Sequence, residues 1–289
     1  MKTRVIPLEE LKSTLNREWV DKGRRPFICG EEAYVPVRDG YSFDTSLPPR
    51  RPYMGRGYQM IGPIAVMHGE RPTDEEVAEL MRWRKPRGIL WLKSFKGATR
   101  IPDCELLAGR CGDVLHRENK MSFWLDPSAV MFAQGNREEK SRMQKMISSD
   151  ERVADMFAGI GYFSIPAALA GARVHSMELN PVAFAYLERN IAENRVKSYI
   201  IPECGDCRIL LSGTYDRFIM GHFDSIAMLP AALKHAVSGS VLHVHSSGNT
   251  APDIGDRISA AGFDACIESR RIKKTGPGQW HYVQDVMLS

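Results

Sequence analysis

Short apolar runs alternate with segments of helical spacing from residue 152 onward. Alternation of strands with helices is typical of a parallel sheet that is covered on both faces. We therefore expect a doubly wound α/β domain in this part of the chain. The apolar runs predict strands at 152–157, 173–178, 198–202, 215–220, 240–246, 265–272 and 281–288, and the periodic segments predict helices at about 162–170, 181–193, 226–236 and 251–261.

The last two of these strands leave no room for a helix between them. Gly276-Pro277-Gly278 instead predicts a hairpin, so the final strand should run antiparallel to its neighbour.

The first 150 residues have a less regular pattern. Apolar residues at helical spacing predict a helix at 7–19, and the proline-rich stretch at 46–53 predicts an extended connector. Capping boxes at Thr73–Glu76 and Asn136–Glu139 should open helices that end near Lys85 and Ser148. Strands are expected at 58–67, 89–92, 114–117 and 122–125, the last two forming a hairpin that turns near Asn119 and Lys120.

These patterns predict three parts of the chain. We expect an N-terminal segment at 1–45, a small α+β domain at 46–148 and the doubly wound domain at 149–289. The chain is long enough for about two domains of ordinary size.

Composition favours an ordinary globular protein, with 43% hydrophobic and 26% charged residues. The N-terminus lacks the apolar core of a secretion signal, and the apolar stretch at 153–174 is better explained as a strand, a turn and a helix than as a membrane span.

Six cysteines are too few for a disulfide scaffold, and Cys204 and Cys207 lack the second pair that a zinc site needs. We expect a cytoplasmic monomer with reduced cysteines, no metal and no membrane association.

Positive charge is concentrated in the first half of the chain. Residues 1–150 hold 26 Lys+Arg and 21 Asp+Glu, whereas residues 151–289 hold 13 and 14. Clustered cations suit a phosphate backbone, although each cluster could equally be a solvated surface. The clusters are Arg50, Arg51 and Arg56, and Arg82, Arg84, Lys85 and Arg87.

Acidic and small residues mark the ends of three successive predicted strands. The first strand runs into Asp155-Met-Phe-Ala-Gly159-Ile-Gly161, a turn that lets a ligand approach the backbone. Glu178 ends the second strand, where a carboxylate can accept both hydroxyls of a ribose. Asp206 and Cys207 follow the third strand, where they can meet an adenine edge. One such residue could merely cap a helix, but the set predicts a nucleoside site in one crevice.

The turn favours S-adenosylmethionine over a dinucleotide. Phe163 and Ser164 stand where the third glycine of a dinucleotide fingerprint should be. Asp155 before the turn suits a ligand that carries an ammonium or a sulfonium group.

At these motifs the sequence resembles two sister families. The matching stretches are 125–143, 153–166 and 178–181, within a resemblance from about Gly57 to the C-terminus. One family comprises the tRNA guanine-N1 methyltransferases that act just 3′ of the anticodon, and the other the wybutosine-pathway aminocarboxypropyltransferases of archaea and eukaryotes. The resemblance implies a class I methyltransferase-like sheet, in which an antiparallel final strand is usual, with S-adenosylmethionine as co-substrate and tRNA(Phe) as partner.

One segment favours the aminocarboxypropyltransferases. The methyltransferases carry Asn-Leu-Pro-like residues after the fourth strand, whereas this chain reads Met220-Gly221-His222-Phe223. The Gly-Tyr-Phe at 161–163 also resembles the aminocarboxypropyltransferase pattern. Methyl transfer to guanine N1 and a non-catalytic cofactor-binding or RNA-binding module remain the alternatives.

The resemblance also implies ligand-binding residues outside the turn. Lys140 matches a position whose cation holds the methionine moiety, although a helix lysine more commonly faces solvent. The family often has Ser where this chain has Ala133, so only a backbone contact could persist there. On the substrate side we expect Asn136, Arg137 and His222.

Three histidines have different expected roles. His222 ends the fourth strand and either accepts the proton lost by the substrate or is structural. His243 and His245 share one face of the fifth strand, which favours buried, hydrogen-bonded imidazoles.

Overall fold

The chain divides into two compact units, Met1–Met54 and Gly55–Ser289. The computed structural model describes residues 1–48, 53–132, 137–276 and 278–289. The expected boundaries at 45/46 and 148/149 stay predictions. The first unit contains a four-stranded antiparallel sheet with the order β2-β3-β1-β4. Its elements are β1 Lys2–Pro7, α1 Leu11–Thr14, β2 Phe27–Cys29, β3 Glu32–Pro36 and β4 Thr45–Ser46.

The helix expected at 7–19 is much shorter in the structure. Only Leu11–Thr14 is α-helical, and residues 2–7 before it form a strand that pairs with β3. A 3₁₀ turn at Leu8–Glu10 leads into α1.

The second unit begins with a four-stranded sheet of order β5-β6-β7-β8. The single strand expected at 58–67 is two antiparallel strands, because Gly62 adopts a positive φ of 53° at the turn between them. The helix α2 begins at the predicted capping box, where Thr73 and Glu76 bond reciprocally. The elements are β5 Tyr58–Ile61, β6 Ile64–His68, α2 Asp74–Arg84, β7 Gly88–Lys96 and β8 Ile101–Gly109.

A hairpin connects this sheet to the rest of the unit. Strands β9 Val114–Glu118 and β10 Met121–Leu125 pair antiparallel, and Asn119 and Lys120 both adopt positive φ, which confirms the predicted turn. The helix α3 follows at Arg137–Met146.

A seven-stranded sheet of order β13-β12-β11-β14-β15-β17-β16 fills the rest of the unit. Strands β11 to β15 run parallel. Strand β17 pairs antiparallel with β16, as predicted, and also with β15. The strands are β11 Arg152–Asp155, β12 Arg173–Glu178, β13 Ile200–Cys204, β14 Arg217–Met220, β15 Val241–Ser247, β16 Ala265–Gly276 and β17 Gln279–Leu288.

Both faces of this sheet are covered, as a doubly wound fold requires. Neighbouring residues on one strand enter different cores: Val153 packs into one and Ala154 into the other, and Ile219 and Phe218 divide in the same way. The helices are α4 Ser164–Leu169, α5 Pro181–Glu193, α6 Cys207–Leu210, α7 Leu229–Leu233 and α8 Ala251–Ala260.

Buried charges connect α3 to the sheet. His243 contacts Asp285 through Nδ1 at 2.5 Å and Arg217 through Nε2 at 2.6 Å, and Arg142 of α3 donates to both carboxylate oxygens of Asp285. Burial opposes the ionisation of Asp285, but His243 and Arg142 lower its pKa to about 2. His243 and its neighbour His245 are fully buried and hydrogen-bonded, which confirms their predicted structural role.

Within the described residues, no helix is both long and apolar enough to cross a membrane.

Candidate active site

The turn after β11 forms the floor of a cleft at the carboxyl ends of the parallel strands. Gly159 lines this cleft with a φ of 57°, and a Cβ there would meet the Tyr162 ring at 3.2 Å. Gly161 has a φ of 102°, and a Cβ on it would lie 2.7 Å from the side chain of Ile165. Both positions require glycine for backbone conformation or packing, and Gly159 also lets a ligand approach the main chain.

Glu178 lines the cleft at the end of β12, as predicted. Its carboxylate accepts the backbone N–H groups of Gly159 and Asn180, each at 2.7 Å. Burial raises the pKa of Glu178, although these N–H groups oppose the shift. The side chain is therefore fixed in position while one edge still faces the cleft.

Asp206 and Cys207 lie at the start of α6 and also line the cleft. Asp206 caps the helix by accepting the backbone N–H of Arg208 at 2.9 Å, and the Arg208 side chain lowers its pKa. Burial raises the pKa of the Cys207 thiol to about 11, so it stays protonated at neutral pH. We call Gly159, Glu178, Asp206 and Cys207 the carboxylate wall.

His222 faces this wall from the end of β14. Its ring stacks on Phe157 with centroids 5.4 Å apart, and its Nδ1 accepts the backbone N–H of Asp224 at 3.1 Å. Burial and the nearby Arg100 lower the pKa of His222, which favours the neutral imidazole. Because Nδ1 accepts a hydrogen bond, the neutral ring carries its proton on Nε2. Nε2 is buried and has no hydrogen-bond partner among the described residues, which makes it a donor available to a ligand.

The turn between β7 and β8 closes the cleft from the smaller sheet. Thr99 and Arg100 line it, and Asn180 Nδ2 donates to the Thr99 carbonyl oxygen at 3.4 Å. Arg100 adopts a positive φ of 53°, a conformation that costs energy for a residue with a side chain. No sequence motif indicated this turn, because its residues form part of the site only through tertiary contact.

Lys140 and Asp155 lie behind the lining of the cleft. Among the described residues, neither of them lines the cleft, and Gly161 does not line it either. Asp155 is fully buried beneath the turn, where its carboxylate accepts the Ser164 hydroxyl at 2.6 Å. Burial raises the pKa of Asp155 to about 7. Asp155 as a cofactor-binding residue stays a prediction, and the structure places its carboxylate beneath the turn.

Lys140 is fully buried, so the solvent-facing alternative is wrong. Its ammonium is ion-paired with Glu118 and lies 4.9 Å from the ring centroid of Tyr162, which lines the cleft. Burial opposes ionisation of Glu118, but His116 and Lys140 lower its pKa. The binding of a methionine carboxylate by Lys140 stays a prediction, and the structure places the ammonium behind Tyr162.

Three predicted positions cannot be compared with the structure. Ala133, Asn136 and the side chain of Arg137 lie outside the described residues. Within the described ranges, no group of three or more His, Cys, Asp or Glu side chains could hold a metal ion, and the expected absence of a metal stays a prediction.

Comparison with known proteins places this cleft in a family. A family model described as the TRM5/TYW2 methyltransferase domain matches residues 114–260. A tRNA(Phe) (4-demethylwyosine(37)-C(7)) aminocarboxypropyltransferase of Methanocaldococcus jannaschii is 34% identical, over 80% of this chain and 98% of the relative. The tRNA (guanine(37)-N(1))-methyltransferase Trm5b of the same organism is 31% identical, over 80% of this chain and 71% of the relative.

A solved structure agrees with these relatives. The crystal structure of P. horikoshii TYW2 in complex with MeSAdo superposes with a TM-score of 0.71 at 28% identity, covering 81% of this chain and 91% of that one. The expected class I methyltransferase-like fold is thus confirmed, and the chain belongs to the TRM5/TYW2 methyltransferase family.

Proposed function

We propose that the protein transfers the 3-amino-3-carboxypropyl group of S-adenosylmethionine to a tricyclic guanine derivative of tRNA(Phe) next to the anticodon. The observation that carries this proposal is the cleft itself, which Glu178, Asp206 and His222 line together at the carboxyl ends of β12, β13 and β14. The similarity to an aminocarboxypropyltransferase over nearly the whole length of that relative supports the same reaction.

The residues of the carboxylate wall fit the nucleoside part of the co-substrate. Glu178 is held by two backbone N–H groups and can accept both ribose hydroxyls. Gly159 exposes its main chain to the cleft, and Asp206 with Cys207 borders the position of an adenine edge. Lys140 and Ala133 stay predictions for the methionine part.

The reaction needs little acid–base chemistry from the protein. A ring carbon of the base attacks the γ-carbon of the methionine moiety, the carbon–sulfur bond breaks, and its electron pair leaves with sulfur as methylthioadenosine. The ring carbon then loses its proton to solvent. Because the sulfonium is already a good leaving group, the protein contributes mainly by positioning the two reactants.

His222 positions the base in this proposal. With Nδ1 occupied by the Asp224 N–H, the neutral ring offers Nε2–H to an acceptor on the base. Removal of the substrate proton by Nε2 would require the other tautomer and the loss of that bond. The geometry therefore favours a hydrogen-bond donor over a general base.

Methyl transfer remains the competing activity because the Trm5b relative is also similar over 80% of this chain. The segment Met220-Gly221-His222-Phe223, which lacks the Asn and Pro typical of the methyltransferases, favours aminocarboxypropyl transfer. A cytoplasmic location and a monomeric state also belong to the proposal.

The released nucleoside tests the proposal directly. The protein is incubated with S-adenosylmethionine and tRNA(Phe) that carries either guanine or the tricyclic derivative, and the products are separated by chromatography and mass spectrometry. Methylthioadenosine with the tricyclic substrate is the expected result. Adenosylhomocysteine with methylated guanine would establish the sister activity instead, and neither nucleoside would indicate a binding module.

A further inference from the structure

The hairpin of β16 and β17 carries an unusual concentration of cations and aromatic rings. It holds four of the 13 basic residues in the second half of the chain. Interleaved cations and rings are typical of surfaces that bind single-stranded nucleic acid. The residues are Arg270, Arg271, Lys273 and Lys274 on β16, opposite Trp280, His281 and Tyr282 on β17.

The tip of the hairpin lies at the same end of the sheet as the cleft. His281 pairs with Ser247, the last residue of β15, so the tip of the hairpin extends beyond the carboxyl end of that parallel strand. A bridge between Asp224 and Ser246 brings the segment after β14 to the same end. His281 and the segment that carries His222 therefore lie at the same end of the sheet.

A β-bulge divides the cations between the two faces of the hairpin. The register shifts between Arg271 and Lys273, so that Arg271 pairs with Tyr282 and Lys273 with the adjacent His281. Because adjacent residues of β17 point to opposite faces, Lys273 shares a face with His281, and Arg271 shares the other with Tyr282. Arg271 stays on its own face, where its Nε donates to the Tyr282 hydroxyl at 2.8 Å.

The face of Lys273 continues into the cleft through aromatic contacts. The rings of His281 and Phe223 are 5.0 Å apart, and the Arg100 guanidinium lies 5.6 Å from the Phe223 centroid. Arg100 itself lines the cleft. We call Arg100, Phe223, His281 and Lys273 the cationic rim.

The charges of the cationic rim are poorly compensated. Lys273 is half-buried, and it has no salt bridge within the described residues. Asp224 faces Arg100 but is itself exposed, and Arg100 Nε is buried without a hydrogen-bond partner in the same described ranges. Burial and the charge of Arg100 lower the pKa of Lys273. Two partly buried like charges beside a cleft are stabilised when an anion binds between them.

We propose that Arg100 and Lys273 bind the phosphate group of the RNA nucleotide that adjoins the target base, with Phe223 and His281 as the apolar surface between them. An anion there would hydrogen-bond Arg100 Nε and offset both charges. That the bound RNA is a tRNA rests on the proposed function. The phosphate contact itself does not depend on which group is transferred.

A salt titration of tRNA(Phe) binding tests this contact without any reaction. Arg100→Gln and Lys273→Gln should each weaken binding several-fold and lower the slope of log Kd against log salt by about 0.7 to 1. Calorimetry on Lys273→Gln, whose side chain is not part of the lining of the cleft, should show unchanged affinity for S-adenosylmethionine. Lys197→Gln is the matched control, since this exposed lysine lies beside the opposite edge of the sheet.

The conservative variants Arg100→Lys and Lys273→Arg separate charge from folding. They should retain the salt slope of the unmodified protein. Unchanged affinity and slope in both glutamine variants, or an equal loss in Lys197→Gln, would overturn the proposed contact. The by-product assay can fail independently, because a protein that makes only adenosylhomocysteine would still show these slopes.

Discussion

The carboxylate wall and the cationic rim differ in how completely their polar groups are paired. Glu178 accepts two backbone N–H groups and Asp206 caps a helix, so the wall is held in place before any ligand arrives. On the rim, Arg100 Nε has no partner among the described residues, and Lys273 forms no salt bridge there. A preorganised wall suits a ligand that is the same in every turnover, whereas uncompensated charge is stabilised only when an anionic substrate is bound.

The largest effect is expected at the buried ion pair of Lys140 and Glu118, which lies behind Tyr162. If the carboxylate wall is held in place before a ligand binds, it should depend on this pair. Lys140→Ala leaves Glu118 buried without its cation and should lower the free energy of unfolding by roughly 3–5 kcal/mol. It should also raise the Michaelis constant for S-adenosylmethionine. Urea denaturation and steady-state kinetics measure the two effects. Lys145→Ala, an exposed lysine on the same helix, is the control, and wild-type stability in Lys140→Ala would contradict the prediction.

Removal of Glu178 tests whether the wall binds the nucleoside. Each hydrogen bond from a ribose hydroxyl to a charged acceptor is worth about 1.5–3 kcal/mol, so the loss of one such bond raises a Kd about 10- to 150-fold. Glu178→Ala removes the acceptor for both hydroxyls and should raise the Kd for S-adenosylmethionine by at least this factor. Isothermal titration calorimetry measures this change. Glu188→Ala on α5 is exposed and should have no effect. Equal affinities in the two variants would remove the carboxylate from the site.

The pH dependence of stability should report the buried carboxyl beneath the wall. Burial raises the pKa of Asp155 from 3.8 to about 7, so the folded protein retains a proton that the unfolded chain loses. This contribution to stability is fully present below about pH 4 and is lost as the pH rises to about 7, by up to about 1.4 kcal/mol per pH unit. Asp155→Asn should flatten that decline in urea denaturation at a series of pH values. An unaltered slope would mean that Asp155 is ionised in the fold.

The smallest effect is expected at the basic cluster on α2. Arg82 and Arg84 are exposed, whereas Arg87 donates to the backbone carbonyl oxygens of Gly112 and Asp113. Arg82→Gln with Arg84→Gln should lower the salt slope of tRNA binding less than the variants of the cationic rim do. A larger change in the α2 variants would reverse the comparison and identify α2 as the main phosphate-binding surface.

The carboxylate wall could be predicted from the sequence, and the cationic rim could not. Gly159, Glu178 and Asp206 each follow a strand with a clear apolar pattern, and parallel strands bring their carboxyl ends together. Arg100, Phe223 and Lys273 come from segments that are distant in the chain, and they meet only through the hairpin and its bulge. The strand β8 was also missed, because its apolar and polar residues alternate only weakly.

Supporting residues were harder to assign than lining residues. A strand pattern shows that Asp155 ends β11, but only the packing shows that its carboxylate points beneath the turn toward Ser164. The same holds for Lys140, whose partner Glu118 lies on a different element. Side-chain direction therefore limited the sequence analysis more than element position did.

The order of β15, β17 and β16 has a consequence for biosynthesis. Although β16 precedes β17 in the chain, among the described residues it pairs with the sheet only through β17. Strand β17 also contains Asp285, which accepts a hydrogen bond from Arg142 of α3. During synthesis the ribosome must therefore release β17 before the hairpin can dock, and until then β15 presents an open edge. We expect nascent chains that stop within the hairpin to be susceptible to proteases and dependent on chaperones.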